Sequence, residues 1–249
     1  MVLLHGISSG ALSWELLAHH LPGFRLLAWD APGYGKSDAL KKDHPSAADY
    51  ADRLNDWLVA LDVDNVMLVG HSLGALVASA MVTRHNARLA SVVLADPARG
   101  YKHQPEDVRD QVYRSRWPAL IELGADAFAL KRAPRLLRPD TEPSALKRVQ
   151  AGMRRLNIDG FKAASWLLAN DDLADWWPPN TSLPARILCG DQDTITTPET
   201  VQALATELSL QYRSIACAGH ASYLDAPEAF ARELIDLAGQ TNFEMEHQP

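Results

Sequence analysis

The sequence predicts an α/β fold: a mostly parallel, doubly wound sheet covered on both faces by helices, with a helical lid inserted between two of its strands. Three observations predict it. Short apolar runs rich in β-branched residues alternate with stretches of helical period, which is the signature of repeated βαβ units. The alternation stops over residues 100–182 and resumes after them. At 249 residues the chain is long enough to bury one large core that carries an insertion.

Taken in order, Val2-Leu3-Leu4 reads as a buried strand, residues 11–21 as helical and Arg25 to Trp29 as a strand. Residues 46–61 place Ala47, Tyr50, Leu54, Trp57, Leu58 and Leu61 near a 3.6-residue period and predict a helix. Val66 to Val69 predicts a strand, 73–85 a helix and Ser91 to Leu94 a strand. The pattern returns with strands at Ala185 to Cys189 and Gln211 to Ala216 and helices at 198–208 and 226–238. In the last of these, Asp225 is expected to cap, with Pro227 early and Glu228 three residues after the cap. Residues 1–99 and 183–249 are therefore assigned to a core domain and 100–182 to a cap. The cap reads as several helices broken by Pro105, Pro118, Pro134, Pro139, Pro143 and Pro178-Pro179. The polar residues from Thr241 to Pro249 are expected to fray.

Composition narrows the function. The chain is 47% hydrophobic and 22% charged, in the globular range, with a formal net charge of −7. No dominant basic field exists to hold a nucleic acid. No run of about eighteen uncharged apolar residues exists to span a membrane. The start lacks the basic, apolar and small-residue regions of a secretory leader. Cys189 and Cys217 make neither a disulfide framework nor a zinc motif, and both read as small core residues. A cytoplasmic protein acting on a small molecule, without metal or cofactor, is expected.

The chemistry centres on Gly70-His71-Ser72-Leu73-Gly74, where a strand hands over to a helix. A tight turn there holds the serine exposed above the sheet, and crowding of its backbone requires glycine two residues before and two after. The following Ala75, Ala78, Ser79 and Ala80 let the helix pack closely on the sheet, its N-terminus directed at the nucleophile. Serine needs a base within hydrogen-bond reach. His220 follows the last strand in Ala218-Gly219-His220-Ala221 and fits that role; His19, His20, His44, His85, His103 and His247 read as having no catalytic task. The partner that fixes the imidazole tautomer should be a carboxylate after the preceding strand, where Asp191 and Asp193 are both available.

At this point the chain resembles the α/β-hydrolase family over nearly its whole length. His5-Gly6 is similar to the family's oxyanion loop and Asp30-Ala31-Pro32-Gly33-Tyr34-Gly35-Lys36-Ser37 to its D-x-x-G-x-G-x-S turn. Gly70 to Gly74 resembles the nucleophile elbow, Gly190-x-x-Asp193 the acid loop and Gly219-His220 the histidine loop, in the family's order of Ser, Asp and His. The resemblance implies Asp193 as the acid, and backbone N–H groups of Ile7 and Leu73 as the oxyanion hole. His5, Asp30 and Ser37 would then hold turns. The family's usual antiparallel hairpin ahead of the His-Gly strand is not found between Met1 and Val2: either it belongs to residues ahead of this sequence or this member lacks it. In the second case an exposed sheet edge is expected to bear on whether the protein is a monomer or a homodimer.

A serine at the elbow separates this chain from the dehalogenase and epoxide-hydrolase branches, whose nucleophile is a carboxylate. Hydrolysis of a carboxylester, lactone or thioester is expected, with three alternatives: a carbon–carbon bond hydrolase of diketo acids, a cofactor-free haloperoxidase or perhydrolase, and a hydrolase-like receptor without turnover. Trp117, Phe128, Phe161 and Trp166 are the aromatics of residues 100–182 expected to line an acyl pocket. The same segment holds thirteen Lys/Arg against eleven Asp/Glu in an otherwise acidic chain, which suits either an anionic substrate or solvated helix faces.

Overall fold

A computed structural model describes residues 1–241; residues 242–249, including His247 and most of the polar terminus expected to fray, lie outside the described residues. The strands are β1 (Val2–Leu4), β2 (Leu27–Ala28), β3 (Val66–His71), β4 (Leu89–Ala95), β5 (Ala185–Gly190) and β6 (Gln211–Ile215). They form one sheet in the order β2-β1-β3-β4-β5-β6, and every pairing is parallel. The helices are α1 (Glu15–Ala18), α2 (Ala47–Ala60), α3 (Leu73–His85), α4 (Glu106–Arg114), α5 (Trp117–Arg132), α6 (Pro143–Arg154), α7 (Ile158–Asn170), α8 (Pro198–Glu207), α9 (Ser222–Asp225) and α10 (Pro227–Gly239).

A parallel sheet buries both faces, so its strands are apolar at successive positions and each parity feeds a different layer. Val2, Leu4, Leu68, Val92, Leu94 and Ile187 face a layer built from α2, α3, α8 and the C-terminal half of α7. Leu3, Met67, Val69, Val93 and Leu188 face the opposite layer, with α1, α10 and parts of α5 and α6. Strand order reverses direction between β1 and β3, and a crevice at such a switch point, at the carboxyl ends of the strands, is where this architecture takes ligands. The loop after β3 carries Ser72.

Several local expectations need correction. Arg25 to Trp29 shrinks to the two-residue β2, since an edge strand has one neighbour to pair with. Residues 11–21 form a 3-10 turn (Ala11–Trp14) and the single turn α1, because Trp14 is driven inward to stack on Tyr223. Cys189 is buried, but Cys217 is exposed in a turn at φ 56°. Asp225 does not cap α10. Its carboxylate accepts from the N–H groups of Arg138 (2.7 Å) and Gly219 (2.9 Å) and from Thr141 Oγ1 (2.5 Å), and so joins the loop before α6 to the loop of His220.

Residues 100–182 hold α4 to α7 and no strand beyond a single bridge between Gly100 and Asp172. Gly124, at φ 74° and ψ 162°, breaks α5 in two. No helix among the described residues is long and apolar enough to cross a membrane.

Candidate active site

The loop after β3 turns sharply at Ser72, whose φ of 53° and ψ of −116° lie outside the regions open to most L-residues. The turn needs two bare backbones. A Cβ on Gly70 would sit 2.4 Å from the Gly74 carbonyl oxygen, and one on Gly74 would sit 2.4 Å from that of Leu4. Ser72 N–H donates to Ala95 O at 2.9 Å, which fastens the elbow to β4. Strain held by surrounding contacts in this way is characteristic of functional turns.

Three sequence-predicted side chains meet at this elbow. His220 Nε2 lies 3.0 Å from Ser72 Oγ, and His220 Nδ1 lies 2.8 Å from Asp193 Oδ2; all three residues are buried. Asp191 takes a different task, accepting from Ala218 N–H at 3.2 Å, so it braces the histidine loop without touching the imidazole. Asp193 Oδ1 accepts from the N–H groups of Ile195 (2.7 Å) and Thr196 (3.1 Å), and Oδ2 from Thr196 Oγ1 (2.7 Å). Burial works against the Asp193 anion, but these donors and His220 outweigh it and hold its pKa below the ordinary carboxylate value. Burial likewise works against a charged His220, and the Asp193 hydrogen bond and charge outweigh it, so its pKa is raised above 6.5.

Asp96, Thr196, His71 and Tyr34 also shape the site, and the sequence reading singled out none of them. Asp96 directly follows β4 and is fully buried; it accepts from Gly190 N–H at 2.8 Å and Ser222 Oγ at 2.5 Å, linking the end of the strand before Asp193 and the loop after His220. Burial pushes its pKa up to about 7. A carboxylate directly after the apolar run Val92 to Ala95 was the signal available for it. His71 donates from Nε2 to the His220 carbonyl at 2.7 Å, and burial with a neighbouring His220 lowers its pKa to about 3, so it is a neutral brace.

The expected oxyanion loop is held by a similar set of ties. Neutral His5 donates from Nδ1 to Gly6 O (2.8 Å) and accepts Ala31 N–H at Nε2 (3.0 Å), with burial lowering its pKa. Asp30 Oδ1 accepts from Ala11 N–H and Ser37 Oγ donates to Asp30 O, so both hold turns. Tyr34 Oη donates to the Ile7 carbonyl at 2.7 Å. Among the described residues neither the Ile7 nor the Leu73 backbone N–H donates in a turn or loop hydrogen bond. Leu73 opens α3, where the first N–H groups have no partner within the helix.

Ser72 and His220 open into a cavity of about 550 Å³. Its apolar walls include Leu136, Met153 and Leu168 from residues 100–182 and Ile195, Val201 and Leu204 from the segment after β5. None of Trp117, Phe128, Phe161 and Trp166 lines it, which corrects the expectation that these aromatics form the pocket. Phe128 and Phe161 are fully buried against each other at 5.8 Å, edge to face. Trp166 stacks on His44 at 3.7 Å, and Trp117 lies under Lys162. They hold helices together. Tyr101 is the aromatic that does reach the cavity.

Ligand atoms of Asp96, Cys189 and Asp193 lie within 4.8 Å of one another, the spacing a metal would need. The chemistry of the set is wrong for one. Every oxygen of both carboxylates already accepts a hydrogen bond, and burial raises the Cys189 thiol far from its thiolate form.

A strained strand-to-helix turn bearing a serine at the carboxyl edge of a parallel, doubly wound sheet, with a histidine and a carboxylate brought to it from the last two strand ends, matches the α/β-hydrolase class. Comparison with known proteins agrees. The model of the Alpha/beta hydrolase family matches residues 1–233, and the chain belongs to that family. It is 27% identical over 243 residues to 2-succinyl-6-hydroxy-2,4-cyclohexadiene-1-carboxylate synthase of Citrobacter koseri, covering 95% of this chain and 92% of that protein. Matches to several other curated relatives span under two fifths of those proteins' length. Among solved structures, a thermophilic esterase from Thermogutta terrifontis superposes with a TM-score of 0.85 at 25% identity, covering 96% of this chain and 89% of that one. A bromoperoxidase from Bacillus anthracis has the same fold, with a TM-score of 0.83 at 20% identity over 96% and 91% of the two chains.

Proposed function

We propose that this chain is a serine hydrolase that cleaves an ester-type bond (carboxylester, lactone or thioester) of a small molecule through an acyl-enzyme. The observation that carries this reading is the pair of contacts on one buried imidazole, 3.0 Å to Ser72 Oγ and 2.8 Å to Asp193 Oδ2. Serine is a weak nucleophile without a base, and this geometry supplies one in the right tautomer, since Asp193 accepts a hydrogen bond from Nδ1–H, which keeps the proton on Nδ1 and leaves the Nε2 lone pair toward Oγ.

In the proposed reaction Ser72 Oγ attacks the substrate carbonyl carbon as His220 Nε2 takes its proton. The electron pair moves to the carbonyl oxygen, where the N–H groups of Ile7 and Leu73 hold the charge. Collapse breaks the carbon–oxygen or carbon–sulfur bond, and His220 returns the proton to the leaving alcohol or thiol. Water then attacks the acyl-Ser72 ester, giving its proton to His220, and the acid departs as Ser72 recovers its hydrogen. Asp193 stays ionised and stabilises the imidazolium formed twice per cycle. Residues 100–182 would serve as a lid over a core of residues 1–99 and 183–249, shaping the acyl pocket and excluding water.

Stopped-flow mixing with 4-nitrophenyl butyrate tests the covalent step. A burst of about one nitrophenolate per active site, absent from Ser72→Ala, is expected. Steady turnover of similar size in Ser72→Ala would refute it.

A further inference from the structure

The cavity in front of Ser72 has a charge that the triad does not explain. Arg99, Arg116, Arg132 and Arg135 line it, and among the described residues no aspartate or glutamate does. Arg99 is already neutralised, by Asp172 at 3.0 Å and by both oxygens of Glu207 at 2.7 and 3.0 Å. The other three have no carboxylate partner among the described residues. Arg116 uses one nitrogen, Nη1, on the Val112 carbonyl at 2.8 Å, which caps the end of α4 and leaves most of its donor fork open. Arg132 lies over the Phe128 ring at 5.5 Å, a contact that fixes the side chain without answering its charge. Arg135 follows one turn later in the 3-10 helix Ala133–Leu136.

Burial, with the facing charges of Arg132 and Arg135, holds the Arg116 pKa below the ordinary arginine value, and Arg132 is lowered by burial and by Arg135. Three guanidiniums near enough to repel one another are unfavourable unless an anion joins them. The chain as a whole carries a formal charge of −7, so this cationic wall is a local feature, and a recessed wall of one sign concentrates ligands of the other. Planar guanidinium forks match carboxylate and phosphate oxygens in pairs.

We propose that the substrate of this site carries a second, anionic group, a carboxylate or a phosphate, which Arg116, Arg132 and Arg135 bind while its ester carbonyl lies at Ser72. The proposal rests on the serine-hydrolase reading for the position of the ester, but its test does not need turnover. Ser72→Ala protein is titrated calorimetrically with three probes: monoethyl adipate, 2-(butyryloxy)ethyl phosphate and the uncharged diethyl adipate. At low salt at least one anionic probe should bind tenfold or more tightly than diethyl adipate, and the tighter of the two identifies carboxylate or phosphate as the source. The preference should shrink in 0.5 M NaCl.

Adding Arg116→Met, Arg132→Met and Arg135→Met together should remove the preference and leave diethyl adipate affinity unchanged, which also reports an intact cavity. Arg135 is exposed, so Arg135→Met alone is expected to fold and should weaken the preferred anion at least threefold. Equal affinity for all three probes would overturn the proposal, as would an anion preference that survives the arginine substitutions. Failure of wild-type protein to hydrolyse any ester would instead count against the serine-hydrolase reading and leave this binding result standing.

Discussion

Two carboxylates act on His220 from different strand ends. Asp193 touches Nδ1 directly, while Asp96 reaches the imidazole only through its charge and through the loops it ties together. Replacing Asp193 with asparagine removes the hold on the tautomer and should lower kcat by about four orders of magnitude, by analogy with serine proteases. Asp191→Asn should cost less than about tenfold, a barrier change of roughly 1.4 kcal/mol, because that residue braces a backbone N–H and nothing more. Steady-state kinetics on one nitrophenyl ester compares them; a larger loss at Asp191 would reverse the assignment. The pH profile separates Asp96 from a purely structural tie. His220 accepts a proton only when neutral, so kcat/KM should rise with pH through its pKa, which lies above 6.5. With burial pushing its pKa up to about 7, Asp96 is partly ionised in this range and its charge supports the imidazolium, so Asp96→Asn should move the ascending limb to lower pH. An unmoved limb would mean that Asp96 only holds loops.

The strand, turn and helix around Ser72 depend on close approach of backbones, which makes Gly70 a sharper test of the elbow than any polar residue. Gly70→Ala drives a methyl into the Gly74 carbonyl and should destabilise by about 3 kcal/mol, the upper range for overpacking, read as a lower urea midpoint. A midpoint within error of wild type would mean that the turn relaxes. On the far side of the sheet, β5 is pinned to α10 by the buried Arg186, which donates to Glu233 at 2.7 Å and Asp236 at 2.9 Å. Arg186→Met keeps the aliphatic stem and loses these charged bonds, so a loss of about 2 kcal/mol is expected by the same measurement. These elements also explain what the sequence could reveal. Strands β3, β4 and β5 and helix α3 were readable because burial on two faces forces apolar runs and small residues at fixed spacing. The two-residue β2 was not, because half of an edge strand's pairing is absent. Phe128 and Phe161 advertised burial, but nothing in their spacing said whether a substrate or a neighbouring helix would cover them.

Across the molecule, the triad and the cavity had different legibility for a physical reason. Ser72, Asp193 and His220 each follow a strand that ends at the same sheet edge, so topology alone brings them together. The cavity walls come from α5, α6, α7 and α8, and their meeting depends on how separate helices settle, which no local pattern encodes. If residues 100–182 act as a lid, bulk placed on its cavity wall should change substrate length preference without touching the chemistry. Leu136→Trp should therefore lower kcat/KM for hexanoate and longer nitrophenyl esters at least tenfold while acetate stays within about threefold, a barrier change of under 1 kcal/mol. Uniform loss across the series would place the acyl pocket elsewhere. All of this stands on one serine being the nucleophile, and a fluorophosphonate that reacts only with activated serines addresses it directly. Intact-mass and peptide mapping should find one adduct per wild-type chain, on Ser72, and none on Ser72→Ala. An adduct of equal yield on Ser72→Ala, or one mapped to another residue of the wild type, would contradict the account.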